Sequence, residues 1–162
     1  MLTQPGTYAL VMICDDERQV EVGKLGQFFV RPGFYVYIGS AFGPGGLKAR
    51  ITHHKRISLR PHWHIDYLRS VLLLKEVWYT NDAEPYEHRW AETIRGLKGA
   101  TIPITGFGSS DCSCTSHLFA FKDQPPMRSF RRRLHTQIPA HGSILLHKLT
   151  EGSWRLPDRA AP

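Results

Sequence analysis

Phe34-Tyr35-Val36-Tyr37-Ile38-Gly39-Ser40-Ala41-Phe42-Gly43-Pro44-Gly45-Gly46-Leu47-Lys48-Ala49-Arg50 is the stretch on which the reading of this chain turns. Phe34 to Ile38 is aromatic and β-branched throughout, the composition of a central strand, and the strand ends at Gly39. Ser40 to Gly46 is small and glycine-rich, a loop that delivers the chain into a helix. On that helix Leu47, Arg50, Ile51 and His54 recur at i, i+3, i+4 and i+7, while Lys48, Thr52, Lys55 and Arg56 point elsewhere. The stripe sets Arg50 and His54 at the inner face.

Upstream, Tyr8 to Cys14 reads as a strand. Asp15-Asp16-Glu17-Arg18 is a turn into a second strand around Val20 to Val22, which predicts a hairpin between the two. Gln27 to Val30 is a short strand, and Arg31-Pro32-Gly33 breaks the chain. Downstream, a second helix is expected from Trp63 to about Leu72 and a strand from Lys75 to Thr80. Pro85 opens a third helix, where its missing amide hydrogen costs nothing. There Glu87, Trp90, Ala91 and Ile94 repeat the stripe spacing, so an acidic residue shares the core-facing side. Thr101 to Asp111 is loop and Ser116 to Phe121 a closing strand. The prediction is an α/β (α+β) domain over residues 1–122, with a small central mixed or antiparallel sheet flanked by helices. A basic C-terminal extension over 123–162, partly ordered, carries the apolar run Ile144 to Leu146; Pro157 to Pro162 is expected to be disordered.

A chain of 162 residues with 41% hydrophobic content buries one core but hardly two. Twenty-one Lys and Arg against fourteen Asp and Glu give a net charge of +7, which favours polyanionic partners such as DNA or RNA. No apolar run approaches a membrane span, and Ala9 to Ile13 is too short for a signal peptide, so a cytoplasmic location without membrane contact is expected. Three cysteines argue against a disulfide framework.

Two tripeptides, Gly6-Thr7-Tyr8 and Tyr37-Ile38-Gly39, each join an expected strand to a glycine, and the second runs into the basic helix. Together they resemble the active-site core of the GIY-YIG nuclease superfamily. The words His62-Trp63-His64-Ile65-Asp66-Tyr67-Leu68 and Phe107-Gly108-Ser109-Ser110-Asp111-Cys112-Ser113-Cys114-Thr115-Ser116-His117-Leu118-Phe119 look like its Uri-type branch. The resemblance covers roughly residues 5 to 121. It implies a metal-dependent endonuclease that hydrolyses phosphodiester bonds in DNA or RNA. Tyr8 would activate water, Arg50 would steady the phosphate, Glu87 would hold Mg²⁺ or Mn²⁺, and Tyr37 would be a second active-site phenol. Thr7 stands where the superfamily usually has isoleucine, and an extra hairpin over Val20 to Val30 absorbs a long connection between the motifs.

Other readings stand beside these. The tyrosines also suit plain sheet packing, and Arg50 with Glu87 also suits a partly buried ion pair between helices. His54 is placed to contact phosphate or to orient a tyrosine; His64 and Asp66 are placed to support the site from behind. A phenol titrates near 10, so Tyr8 needs cationic charge or metal-bound water nearby to act as a base at neutral pH. Cys112, Cys114 and His117 form a C-x-C-x2-H cluster of possible zinc ligands, with His62 or His64 as the candidate fourth. Two half-buried thiols beside a turn account for the cluster more simply, because structural zinc sites show four clear ligands. Lys48, Lys55, Arg56 and Arg60, with Arg128, Arg131, Arg132 and Arg133, compose a possible track for a nucleic-acid backbone. A nucleic-acid-binding module without turnover, or a zinc-stabilised interaction domain, are the alternatives to the nuclease.

Overall fold

The computed structural model describes residues 3–109 and 112–150. In chain order its elements are β1 (Thr7–Cys14), β2 (Arg18–Glu21), β3 (Gln27–Val30), β4 (Gly33–Ser40), α1 (Gly46–Lys55), α2 (His64–Leu68), β5 (Leu73–Thr80), α3 (Glu87–Arg95), β6 (Leu118–Phe121), α4 (Met127–Gln137) and β7 (Leu145–Lys148). Five strands form one antiparallel sheet in the order β6-β4-β1-β5-β7, and β2 and β3 form a separate two-stranded ribbon.

β1 is apolar at almost every position because it is central and covered on both faces. Successive side chains alternate between faces. Tyr8, Leu10 and Met12 enter one core with Leu47 and Ile51 of α1, Ile65 and Leu68 of α2, and Val30 of the ribbon. Ala9 and Val11 enter the other with Trp90 and Ile94 of α3 and Phe130 and Leu134 of α4. Phe130 stacks on Trp78 at 5.6 Å between ring centroids and meets Trp90 edge-on at 5.0 Å. Offset and edge-to-face pairs of this kind add about 0.5–1.5 kcal/mol each beyond the area they bury.

The register of β1 against β4 sets Tyr8 opposite Gly39 and Leu10 opposite Tyr37. A Cβ on Gly39 would lie 2.4 Å from Cζ and from the hydroxyl of Tyr8, so only glycine leaves room for that ring. Gly6 is needed for a related reason: a Cβ there would sit 2.0 Å from the Thr80 carbonyl oxygen and 2.8 Å from Leu47 Cδ1. Both glycines that flank the tyrosine motifs are therefore demanded by close packing rather than by a turn.

The antiparallel sheet with flanking helices is as expected, but several details differ. β1 does not form a hairpin with β2; β1 pairs with β4 and β5, and β2 turns back on β3. The second helix is shorter than its apolar pattern suggests. It gives way to turns after Leu68, where the buried Arg69 donates to the carbonyls of His54, at 2.8 Å, and Leu72. Beyond residue 122 the chain supplies α4 to the second core and β7 to an edge of the sheet. The expected disorder of Pro157 to Pro162 lies outside the described residues. Among the described residues no helix is long and apolar enough to cross a membrane.

Phe130 is fully buried, so Phe130→Ala should cost about 3–5 kcal/mol in urea unfolding. A loss under about 0.5 kcal/mol, the usual surface value, would mean that α4 is a loose appendage rather than part of the core.

Candidate functional site

Tyr8 is pressed between Gly39 and α1, and its hydroxyl lies 2.7 Å from Nε2 of His54. Burial, then the neighbouring Tyr37 phenol, pushes the Tyr8 hydroxyl well above its ordinary range. Burial, then the Glu87 carboxylate, likewise raises Tyr37. Burial, then His53, pushes His54 down to about 3. At neutral pH the pair is therefore a protonated phenol donating to a neutral imidazole. The cationic charge that a basic Tyr8 phenol needs is present in Arg50, whose field does lower it, but desolvation outweighs that field.

From His54 a chain of ring contacts leads outward. His54 and Trp63 lie 6.1 Å apart, and the Arg50 guanidinium carbon rests 4.2 Å over the Trp63 ring. A cation so placed gains about 0.5–1 kcal/mol when exposed and more when desolvated. Arg50 and His53 line a groove of about 180 Å³ whose other wall is the glycine-rich loop from Ala41 to Gly46. A second groove of about 360 Å³ continues past His53 to Arg56. Arg50 and His53 project from α1 three residues apart, and Arg56 follows at its C-terminal cap, so three cationic or basic side chains border the two grooves.

Glu87 begins α3 and sits at the end of β4, with Oε1 3.0 Å from Nδ1 of His117. Burial alone would raise its carboxyl, but the His117 imidazole and the Ser40 hydroxyl outweigh burial and hold it below the usual carboxylate range. Glu87 therefore pairs with His117 and not with Arg50, which removes the helix–helix ion pair as its explanation. Glu87 and Arg50 both act electrostatically on Tyr8 and Tyr37. The four residues expected to work together are thus brought together.

Asp66 and His64 act one step away from the tyrosines. Asp66 Oδ1 lies 2.8 Å from Nε2 of His53, and Oδ2 accepts from the amides of His62 at 2.9 Å and Trp63 at 3.0 Å. Burial would raise this carboxyl, yet those hydrogen bonds lower it. His53, His54 and Asp66 are close enough to share a cation, but His54 Nε2 and both Asp66 oxygens are already satisfied within the protein. His64 Nδ1 accepts from the Gly108 amide at 2.9 Å, fastening the loop that lies against Tyr37.

On the other side of Glu87, ligand atoms of His88, Cys112, Cys114 and His117 all lie within 4.8 Å of one another. Burial, then the Cys112 thiol, pushes the Cys114 thiol up to about 11. The expected fourth member, His62 or His64, is not in this group; His64 is bound to Gly108, and His88 takes the place. His88, Ser40 and His53 were missed by sequence reasoning. His88 is invisible to motif spacing because it lies on a different element, and its only cue is adjacency to Glu87. Ser110 and Asp111, within the same loop, lie outside the described residues.

The basic residues do not form one surface. Lys48 and Lys55 belong to α1, followed by Arg56 and Arg60, on one face of the sheet, whereas Arg128, Arg131, Arg132 and Arg133 belong to α4 on the other. Arg131 donates to the Ile144 carbonyl at 2.7 Å and Arg133 to the Gly96 carbonyl.

A family model described as "Domain of unknown function DUF123" matches residues 7–140, from the start of β1 to just past α4. The chain belongs to this family. The DUF123 match takes in every residue of the tyrosine–arginine–glutamate constellation and of the Cys/His group. No curated protein and no solved structure matches the chain.

The neutral state of His54 makes a testable pH signature. An unfolded histidine titrates near 6.5 and the folded one near 3. Its contribution is therefore complete above about pH 6.5 and is lost on acidification toward about pH 3, by at most about 1.4 kcal/mol per pH unit. Unfolding free energy measured from pH 7 to 4.5 should fall more steeply for the wild type than for His54→Gln. Parallel slopes would show that His54 is not held neutral.

Proposed function

We propose that this chain is a metal-dependent endonuclease that hydrolyses phosphodiester bonds in DNA or RNA. The observation that carries the reading is the hydrogen-bonded Tyr8–His54 pair, set behind Arg50 and electrostatically coupled to Tyr37 and Glu87. The resemblance of the Gly6-Thr7-Tyr8 and Tyr37-Ile38-Gly39 motifs to the GIY-YIG superfamily supports it, as does the groove along α1.

In this reading a backbone phosphate enters the groove and meets Arg50 and His53, with Lys48, Lys55, Arg56 and Arg60 holding the flanking strand through charge alone. The Tyr8 hydroxyl donates to His54 Nε2, which leaves its oxygen lone pairs free to accept a proton from the attacking water. As the water oxygen bonds to phosphorus, its proton moves to the Tyr8 oxygen and the Tyr8 proton to Nε2, while the bond to the leaving oxygen breaks. The poor basicity of His54 reflects the cost of burying a cation. A phosphate beside it supplies the negative charge that offsets that cost. Tyr37 orients the reacting group from the neighbouring strand.

Glu87 fits a magnesium ion: its carboxyl is held ionised and partly exposed, and a single carboxylate suits a cation that keeps most of its waters. Such an ion would supply charge neutralisation on the phosphoryl oxygens.

A second reading is a nucleic-acid-binding module without turnover. The observation favouring it is that Tyr8 and Tyr37 are both buried, so that substrate binding must open a path to them before any hydrolysis.

Labelled single-stranded, duplex and branched DNA and RNA, incubated with Mg²⁺, Mn²⁺ or EDTA, separate the two. Metal-dependent cleavage is expected, reduced at least about a hundredfold in Tyr8→Phe and in Glu87→Gln. Tyr8→Phe retains the ring on Gly39 and removes only the hydroxyl. Binding that weakens steeply with salt, with no cleavage of any substrate, would replace the nuclease with the binding module.

A further inference from the structure

The Cys/His group beside Glu87 brings four potential ligand atoms within 4.8 Å of one another. Two thiols and two imidazoles come from three separate places: His88 from the first turn of α3, Cys112 and Cys114 from the loop, and His117 from the residue before β6. Bonds of about 2.3 Å to sulfur and about 2.0–2.1 Å to nitrogen, at tetrahedral angles, put neighbouring sulfur and nitrogen ligands roughly 3.5 Å apart. Cys112 Sγ and His117 Nε2 are already 3.4 Å apart. All three cysteines are free thiols.

His117 is the rigid member. It is almost wholly buried, its amide donates to the Phe107 carbonyl at 2.8 Å, and its own carbonyl accepts from the Ile38 amide at 2.9 Å. Its ring is held from the far side, with Nδ1 facing Glu87 Oε1 at 3.0 Å. With the proton on Nδ1, next to that carboxylate, Nε2 is the atom that carries the lone pair, and it faces Cys112. Histidines that ligate zinc commonly carry a carboxylate on the other nitrogen, which fixes tautomer and ring orientation. Nothing in the proposed hydrolysis uses His88, Cys112 or Cys114, so the group asks for a separate explanation.

We propose that His88, Cys112, Cys114 and His117 bind one structural zinc ion, with Glu87 as the carboxylate that orients His117. Zinc suits a tetrahedral set of two thiolates and two imidazoles with no open position. Binding exchanges two S–H bonds for two zinc–sulfur bonds, adds two zinc–nitrogen bonds and releases two protons, with no change of oxidation state. The charge of the ion is cancelled by the two thiolates, so the half-buried site takes on no net charge. The ion ties the start of α3 to the loop that lies against Tyr37, and so holds Glu87 and Tyr37 in fixed relation.

This inference stands or falls independently of hydrolysis. The full-length protein, purified without chelator and with any affinity tag removed, should contain about one zinc per chain by elemental mass spectrometry. Cobalt added to the reduced, zinc-stripped protein should produce tetrahedral d–d bands and thiolate-to-cobalt charge-transfer absorption. His88 is exposed, so His88→Ala should fold, yet weaken zinc at least about tenfold in competition with a chromophoric chelator. Glu87→Ala should weaken zinc about 10–100-fold, while Glu87→Gln, which keeps an acceptor for Nδ1, should weaken it less. Less than about 0.1 zinc per chain together with no cobalt–thiolate absorption would overturn the site, and unchanged affinity in Glu87→Ala would overturn the orienting role. Stoichiometric zinc in a protein that cleaves nothing would leave the site standing and remove the nuclease.

Discussion

The Tyr8 ring lies directly on Gly39 of the neighbouring strand, and much of the structure depends on that contact. The ring fills the space a side chain would occupy, which ties the β1–β4 register to one alignment: a shift by one residue would drive Tyr8 into Ile38 or Ser40 and move every β1 side chain to the opposite face. With that alignment kept, the Tyr8 hydroxyl meets His54 one turn beyond Arg50 on α1, and Leu47 packs where Gly6 leaves room. Sheet register, helix position and the buried hydrogen bond are one arrangement.

Because β1 is covered on both faces, the protein has two cores that divide its residues by function. The core beneath α1 and α2 carries the tyrosines and histidines together with the Arg50 groove. The core beneath α3 and α4 packs aliphatic side chains around the rings of Trp78, Trp90 and Phe130, and the buried His141 accepts a hydrogen bond from Trp90 at its margin. Glu87 connects the two, because the helix it begins belongs to the second core while its carboxylate reaches the strand ends of the first. A residue at such a junction is sensitive to both halves, and two partners compete for its description: the phenols whose charge it influences and the imidazole it contacts.

Much of the architecture was legible in the chain. The stripe of Leu47, Arg50, Ile51 and His54 gave the helix and its inner face, Tyr8 to Cys14 read as a strand, and the aromatic and β-branched run Phe34 to Ile38 as a central one. The long connection between the motifs does hold an extra hairpin. What misled were local signals with more than one partner available. Asp15 to Arg18 is a good turn, but β1 has both its edges filled by β4 and β5, so the ribbon closes on itself. The apolar pattern after Leu68 continues at helical spacing, yet Arg69 turns inward to satisfy two carbonyls and the helix stops.

The sequence by itself determined most of the element types between Thr7 and Phe121, a small sheet flanked by helices, and the residues able to do chemistry, because these follow from periodicity, turn residues and side-chain type within a few positions of one another. Tertiary structure alone decided which of those residues meet. It paired Glu87 with His117 instead of Arg50, brought His88 to the two loop cysteines, and separated the arginines of α4 from the lysines of α1. Each outcome depends on which face of the sheet a helix covers and where its first turn falls. Those are properties of packing between distant segments, and the local pattern of residues does not encode them.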